Sequence, residues 1–297
     1  MRIAFVVLGD IPIPPPGYGG IERVVHEYAK RMPEIVFIRG RKSRVFWNLL
    51  RRGRFDAVHV HHERAIPAAK KYCQVLKVPL WATPHMGFVW DRMDADESRR
   101  WELLQLAGHS FPMRQDIADR LPAGRWTLIP NGCDTKALRF KPTGNGRGLY
   151  LGAINSNKRQ HLLADIDLDF IGPIHGEPLP QEANYKGEWT RNQVENQLTV
   201  YSALVLWSEY EGGGPPLVVA EALAAGLSLV LSPAAAATLP ELPFVHIAKT
   251  REDVAAKLPI SIAENPRHRA AARAFAEANF GWDQIVRTYQ EAIKRVL

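Results

Sequence analysis

The chain has 297 residues, 38 Lys and Arg against 31 Asp and Glu, a formal charge of +7, and 46% hydrophobic residues. That length suits two domains of about 150 residues each, and the ordinary composition excludes a disordered or fibrous chain. Two cysteines, Cys73 and Cys133, are too few for a disulfide framework and point to a reducing compartment, while no apolar run approaches the ~18 residues of a membrane span, so any membrane contact is expected to be peripheral.

The opening MRIAFVVLGD carries one basic residue and a short apolar run stopped by Asp10, which reads as a buried strand and not as a signal peptide. A proline-rich loop, residues 12–16, leads into Gly17-Tyr18-Gly19-Gly20 and a helix over residues 21–32. Strand, glycine loop and helix in that order bring backbone N–H groups to a helix N-terminus, where anions bind. A second strand is expected over residues 34–39. SRVFWNLLRRG, residues 43–53, is a basic helix with Val45, Phe46, Leu49 and Leu50 on one face and Trp47 to the side. It is either a crossover helix packed into the core or an interfacial element for an anionic surface.

FDAVHVHH, residues 55–62, is a third strand with Val58 and Val60 on one face and His59 and His61 on the other. Neighbouring strand positions point apart and no carboxylate pattern accompanies these histidines, so no metal site is expected. In an open parallel sheet the strand C-terminal ends face the ligand crevice. This makes His62 and Glu63 candidates for the crevice, and also His85, just past a strand at residues 78–83. Helices are expected over 97–107 and 115–121, and strands over 109–113 and 126–129. The last runs into Pro130-Asn131-Gly132-Cys133-Asp134, a tight turn.

KPTGNGRG, residues 141–148, is a linker by composition. Beyond it come a strand at 149–151, the stretch GAINSNKRQHLL with a helix after it, strands at 169–172 and 185–188, and a helix over 190–198. An apolar strand at 203–207 precedes SEYEGGGPPLVVAEALAAG, residues 208–226, a second strand–glycine loop–helix unit flanked by Glu209, Glu211 and Glu221. Acids beside an anion cradle suit another task, such as binding sugar hydroxyls. Strands at 228–231 and 245–247, helices at 251–258 and 266–279, and a terminal helix over 283–297 complete the chain. Such alternation argues an α/β protein of two doubly wound domains, with no repeat of solenoid period.

Several of these stretches, in this order, resemble the retaining glycosyltransferases of family four, which have the GT-B fold. They are GGIERVVHEYAKRM with its Gly19-Gly20 pair, FDAVHVHH, the strand into His85, IPNGCD followed by Phe140, Lys158 six residues after Gly152, and the helix carrying Glu221. The resemblance covers nearly the whole chain. It implies two Rossmann-like domains facing a central cleft: an acceptor-side domain at 1–141, a nucleotide-sugar domain at 142–282, and a terminal helix, 283–297, crossing back to the first domain. It implies transfer of a hexose from a UDP-, GDP- or ADP-linked sugar to an acceptor hydroxyl, with retention, no metal and no cofactor. Catalytic roles fall to Lys158, Glu211 and His85. Donor contacts fall to Gly19, Gly20, Gly152, Arg159, Gly212, Gly213, Gly214 and Glu221. Gly187, Glu188 and Trp189 would line the nucleobase pocket, with Tyr18, His62 and Glu63 on the acceptor side.

The sequence departs from the family pattern twice. Nine residues separate Glu211 from Glu221 where the family has seven, and Ala153 stands where the family has Arg, leaving Arg159 as the candidate replacement. These departures keep two other readings open: a non-catalytic nucleotide- or carbohydrate-binding protein, and a sugar-nucleotide epimerase of the same fold. Charge adds a further expectation. Residues 1–141 hold 24 basic and 14 acidic side chains, the remainder 14 and 17, so the first half carries the whole excess. An anionic or lipid-linked acceptor, met by a cytoplasmic protein at the inner face of the membrane, fits that asymmetry. Nucleic acid fits less well, since no basic and aromatic strand platform is evident.

Overall fold

Apolar, β-branched runs alternate with helical stretches, and each of the long runs becomes a parallel strand. The structure is a computed structural model of the chain, described at all residues except 18, 89, 91, 92 and 177. Its first half contains β1 (Ile3–Leu8), α1 (Gly20–Arg31), β2 (Ile35–Gly40), α2 (Val45–Arg51), β3 (Ala57–Val60), α3 (Ile66–Leu76), β4 (Leu80–Ala82), α4 (Ala95–Leu104), β5 (His109–Ser110) and α5 (Gln115–Ala118). The five strands form one parallel sheet in the order β2-β1-β3-β4-β5. The second half contains β6 (Gly148–Leu151), β7 (Leu168–Ile171), β8 (Asn184–Tyr185), α6 (Arg191–Gln197), β9 (Ala203–Leu206), α7 (Leu217–Ala224), β10 (Ser228–Leu231), α8 (Pro233–Ala236), β11 (Val245–Ile247), α9 (Arg251–Phe280) and α10 (Trp282–Val296). Its six strands are again parallel, in the order β11-β10-β9-β6-β7-β8. Parallel neighbours need crossovers, and the helices supply them on both faces. Hence β3, β9 and β10 are buried along their whole length.

The last helix belongs to the first core. Trp282, Ile285, Tyr289 and Ile293 of α10 pack with Val24 and Tyr28 of α1 against Ile3, Phe5 and Val7 of β1. The opposite face of that sheet is covered by α2 and α3 through Val45, Leu49, Ala69 and Tyr72.

Three segments differ from their sequence expectations. Residues 251–280 form one helix, although Pro259 and Pro266 lie inside it. Each proline removes a hydrogen bond, yet Val254, Leu258, Ser261, Asn265, Arg269, Ala272, Ala276 and Phe280 make one buried stripe at helical spacing, and packing holds the helix through the breaks. The helix expected after GAINSNKRQHLL is absent: two short 3-10 turns within that stretch, residues 156–158 and 160–163, split by Arg159 in the left-handed region at φ 54, lead directly to β7. The expected strand at 126–129 makes only an isolated bridge, Trp126 to Ser110.

Composition places the domain boundary at 141, but residues just before it are held by the second half. Cys133 and Leu138 pack in the second core. The Arg269 guanidinium donates to Lys141 O at 2.9 Å, and Arg273 donates to Leu138 O and Thr135 O at 3.0 and 2.5 Å. The two chain crossings run side by side: Cys133 N donates to Phe280 O at 2.8 Å and Cys133 bridges Gly281. Gly132 allows this approach, since a Cβ there would lie 2.7 Å from Phe280 O. Among the described residues no helix is long and apolar enough to cross a membrane.

Candidate active site

Between the C-terminal ends of the two sheets lies a cavity of about 350 Å³, where ligands of open parallel sheets bind. The first half contributes the start of α1 and the loop after β4. Gly19 is the N-cap of α1 at φ 152, and a Cβ there would meet Pro15 Cβ at 2.8 Å. Gly20 and, within the first turn, Arg23 face the cavity, as does His85 past β4. The second half contributes Gly152 and Lys158 after β6, Glu188, Trp189 and Arg191 around the start of α6, Glu211 to Gly214 after β9, and Leu217 and Glu221 of α7. Pro216 caps α7, and Val219 N donates to its carbonyl at 2.9 Å, which leaves the Leu217 and Val218 amides without a partner within the helix. Two helix N-termini, one from each half, thus open on the same space.

The three glycines have a steric reason to be glycines. A Cβ on Gly213 would overlap the Pro84 carbonyl oxygen, one on Gly212 would lie 2.6 Å from His85 O, and one on Gly214 would lie 2.6 Å from Met113 Cβ. The contact is reciprocal, because a Cβ on Gly87 would overlap Glu211 O. Gly213 N donates to His85 O at 2.8 Å, and nearby Asn131 Nδ2 donates to Pro215 O at 3.1 Å. The expected role of Gly213 as an anion donor is therefore corrected: its amide is committed to the opposite half, and the loop's glycines serve a close backbone approach.

Charge in the cavity is arranged in pairs. Lys158 Nζ bonds Glu211 Oε1, both side chains being largely buried. The Asn155 side chain accepts from Lys158 N at 3.0 Å and fixes the turn that presents this lysine. Arg191 bonds Glu221 Oε1, and its Nε donates to Glu195 at 2.7 Å. Burial opposes the charge on Arg191, but the two glutamates more than offset this and hold its pKa up. Arg23 donates to Gly17 O at 2.9 Å. Burial lowers its pKa, against an opposing pull from Glu221.

Arg23 and Arg191 were not singled out by the sequence reading, although their positions carried a signal. Arg23 lies three residues past Gly20 on the first turn of a helix, and Arg191 follows Thr190, the head of a capping box. Arg159, expected at the donor phosphates, lies elsewhere. Its guanidinium donates to Trp207 O and Ser208 O at 3.0 and 3.1 Å and stacks 3.9 Å over the Trp207 ring. It braces the end of β9 and does not line the cavity.

Other expected positions divide as well. Glu188 sits against Gly17, and Trp189 lines the cavity while its ring lies 6.1 Å from Tyr201. Gly187 is outside the lining and its carbonyl accepts from Gly172 N at 3.0 Å. His62 and Glu63 do not reach the cavity. Glu63 is buried near Arg100, with Oε1 unpartnered, and burial raises its carboxyl to about 7. Tyr18 lies outside the described residues. His85, by contrast, is half-buried at the cavity wall, and its Nε2 is 2.9 Å from His61 Nδ1. Burial first, and His62 second, push its imidazole down to about 3. Among the described residues no three His, Cys, Asp or Glu side chains are grouped to hold a metal ion.

Two outcomes are expected. Gly213→Ala should hold the two halves apart, so solution scattering should show a larger radius of gyration than the wild type; superimposable curves would show that the contact tolerates a Cβ. The second concerns pH. With His85 at about 3 in the fold and 6.5 unfolded, the unfolded chain binds the proton first. The stability contributed by neutral His85 is full above 6.5 and is lost as pH falls from 6.5 towards 3, amounting to about 2 kcal/mol by pH 5. Glu63 acts in the opposite sense over this range, so the comparison is made with His85→Asn. That variant should lose less stability than the wild type between pH 7 and 5 in urea titrations, and equal losses would contradict the assignment.

The sequence model of the family described as Glycosyltransferase Family 4 matches residues 36–137. No curated protein matches the chain. Among solved structures, HepE of Anabaena, determined in complex with UDP-glucose, superposes with a TM-score of 0.80 at 16% identity, covering 99% of this chain and 100% of that one. Sucrose-phosphate synthase of Thermosynechococcus elongatus gives 0.78 at 14% identity, over 100% and 99%. A glycosyltransferase from Rickettsia africae gives 0.74 at 12% identity, over 99% and 98%. At such identities the superpositions establish the fold, the two-domain GT-B arrangement, while the family match is confined to residues 36–137 of the first half.

Proposed function

We propose that the protein moves a hexose from a nucleotide diphosphate sugar to an acceptor hydroxyl with retention of anomeric configuration and without a metal ion. The observation that carries this reading is one cavity in which two opposed helix N-termini, Lys158, Arg191 and Arg23 are interleaved with Glu211 and Glu221. A diphosphate leaving group gains negative charge as the glycosidic bond breaks, and preorganised cations and N–H dipoles stabilise that charge. Glu221 accepts from the ribose hydroxyls, Glu211 from hydroxyls of the donor sugar. The acceptor attacks from the face that the diphosphate leaves, and the diphosphate takes its proton. With an imidazole that stays neutral, His85 positions an oxygen by hydrogen bonding and acts neither as nucleophile nor as acid. Contact between the loops at Gly87 and Gly213 closes the crevice against water, which would otherwise hydrolyse the donor. The UDP-glucose held by HepE in the same fold supports a uridine-linked donor over GDP- or ADP-sugars.

The acceptor reading rests on the α2 region. Val45 and Leu49 are buried, but Trp47 is 60% and Leu50 38% exposed, so the expected apolar face is split between core and solvent. Arg41, Lys42, Arg44, Arg51, Arg52 and Arg54 surround them, all exposed. Arg39 is not part of this patch, since its guanidinium turns inward to Gly9 O and Ile11 O. An exposed indole ringed by cations fits an anionic membrane surface carrying a lipid-linked acceptor, at about 1 kcal/mol per basic residue.

Incubation with a panel of UDP-, GDP- and ADP-sugars should show donor turnover, with a UDP-sugar preferred; a donor that binds but is never turned over would leave a binding protein. Glu221→Gln should weaken UDP binding at least tenfold, given about 1.5–3 kcal/mol for a hydrogen bond to a charged group, and unchanged affinity in a folded variant would remove Glu221 from the site. Co-sedimentation should show binding to anionic but not neutral vesicles, lost at high salt and reduced by Trp47→Ala. Negligible binding to both would mean that the basic face is merely solvated and the acceptor is a small soluble molecule.

A further inference from the structure

We infer that His61 is a positioning residue that sets the tautomer of His85, so that His85 meets the substrate as a hydrogen-bond donor through Nδ1. This deepens the transferase reading above and rests on it for the word substrate. It follows from counting protons along a short chain of rings, two of them buried, that ends at the cavity wall.

His61 follows β3 and is 1% exposed, with its ring 4.5 Å from that of Phe5. Its Nδ1 lies 2.9 Å from His85 Nε2. Its Nε2 is buried and has no hydrogen-bond partner. The neighbouring His59 cannot supply one, because both of its ring nitrogens are engaged, Nδ1 with the Tyr289 hydroxyl at 2.7 Å and Nε2 with Thr83 Oγ1 at 2.8 Å. Burial lowers the pKa of His59, His61 and His85 alike, so each ring carries one proton near neutral pH.

The proton between His61 and His85 has two placements, and they leave different debts. If His85 Nε2–H donates, neutral His61 must keep its own proton on Nε2, a buried N–H with no acceptor. If His61 Nδ1–H donates, its Nε2 is only an unfilled lone pair. Buried N–H groups without a partner are the rarer and costlier defect, so the second placement holds. His85 Nε2 then accepts, and the single proton of the neutral His85 ring resides on Nδ1, for which no described side chain competes. A histidine locked this way offers the cavity an N–H. It selects an oxygen that can accept, a hydroxyl or an anionic oxygen, and it discriminates against an ammonium at the same place.

The tautomer is readable directly by two-bond ¹H–¹⁵N correlation spectra of protein labelled in histidine, with the His85 ring assigned by its absence in His85→Asn. Nδ1–H on His85 is expected; Nε2–H would overturn the inference whether or not the enzyme turns over a donor, so its failure is separable from failure of the transferase reading. His61→Phe keeps an aromatic ring, somewhat larger, without a donor and should give a mixed His85 tautomer, with kcat/KM down about tenfold and UDP affinity unchanged. His61→Asn, which restores an N–H near the Nδ1 position, should recover most of that loss. An active His61→Phe with unaltered kcat/KM, or a His61→Asn as impaired as His61→Phe, would contradict a positioning role. Should His61→Phe fail to fold, the wild-type spectrum still decides the question.

Discussion

The two halves of the molecule touch backbone to backbone around Gly87, Gly212 and Gly213, and the site depends on that contact. The groups that could act on a donor are divided between the halves: Arg23 and His85 on one, Lys158, Arg191, Glu211 and Glu221 on the other. Side-chain packing at this interface would hold them farther apart. Three carbonyls, of Pro84, His85 and Glu211, occupy space that a Cβ would fill, and the Gly213 amide satisfies one of them. Steric permission at a few positions therefore decides whether charges from both halves reach one another.

Within the cavity the cations are not held by each other's absence but by acids. The pairs Lys158–Glu211 and Arg191–Glu221 are largely buried, and such pairs add little net stability because desolvation offsets their attraction. Their value lies in placement. A long lysine or arginine side chain, fixed by a carboxylate before any substrate arrives, loses less freedom when a phosphate is bound. The same acids remain available to hydroxyl groups, so under the proposed function one set of contacts would serve both parts of a nucleotide sugar.

Much of the fold was legible because buried parallel strands leave continuous apolar runs, as in Ile3–Leu8 and Ala203–Leu206, with glycine and proline between them. Long-range packing was not legible. Pro259 and Pro266 argued for a break that the buried stripe of α9 overrides. At the site, Glu221, Lys158 and His85 were marked by the family resemblance and do line one cavity. Glycine was ambiguous at 212–214, since an anion cradle and a close backbone approach demand the same absence of a side chain. Arginine was ambiguous too: Arg159 follows the expected loop but its left-handed backbone turns it onto Trp207, whereas Arg191, far away in sequence, reaches Glu221. Strand-end logic likewise named Glu63, which turns under α4 near Arg100 instead of into the crevice.

The return of α10 to the first core has a consequence for synthesis. Phe5, Tyr28 and Ile3 bury themselves against Trp282, Ile285 and Tyr289, so one face of the first sheet, which α1 covers only in part, is completed only when α10 has been made. At about 5–20 residues per second, the ribosome takes roughly ten to thirty seconds to pass from the first crossing to that helix. The usual vectorial order, amino-terminal unit first, is thereby inverted. The second half has its own helices in sequence and can close while the first still presents the part of its sheet that α10 will cover.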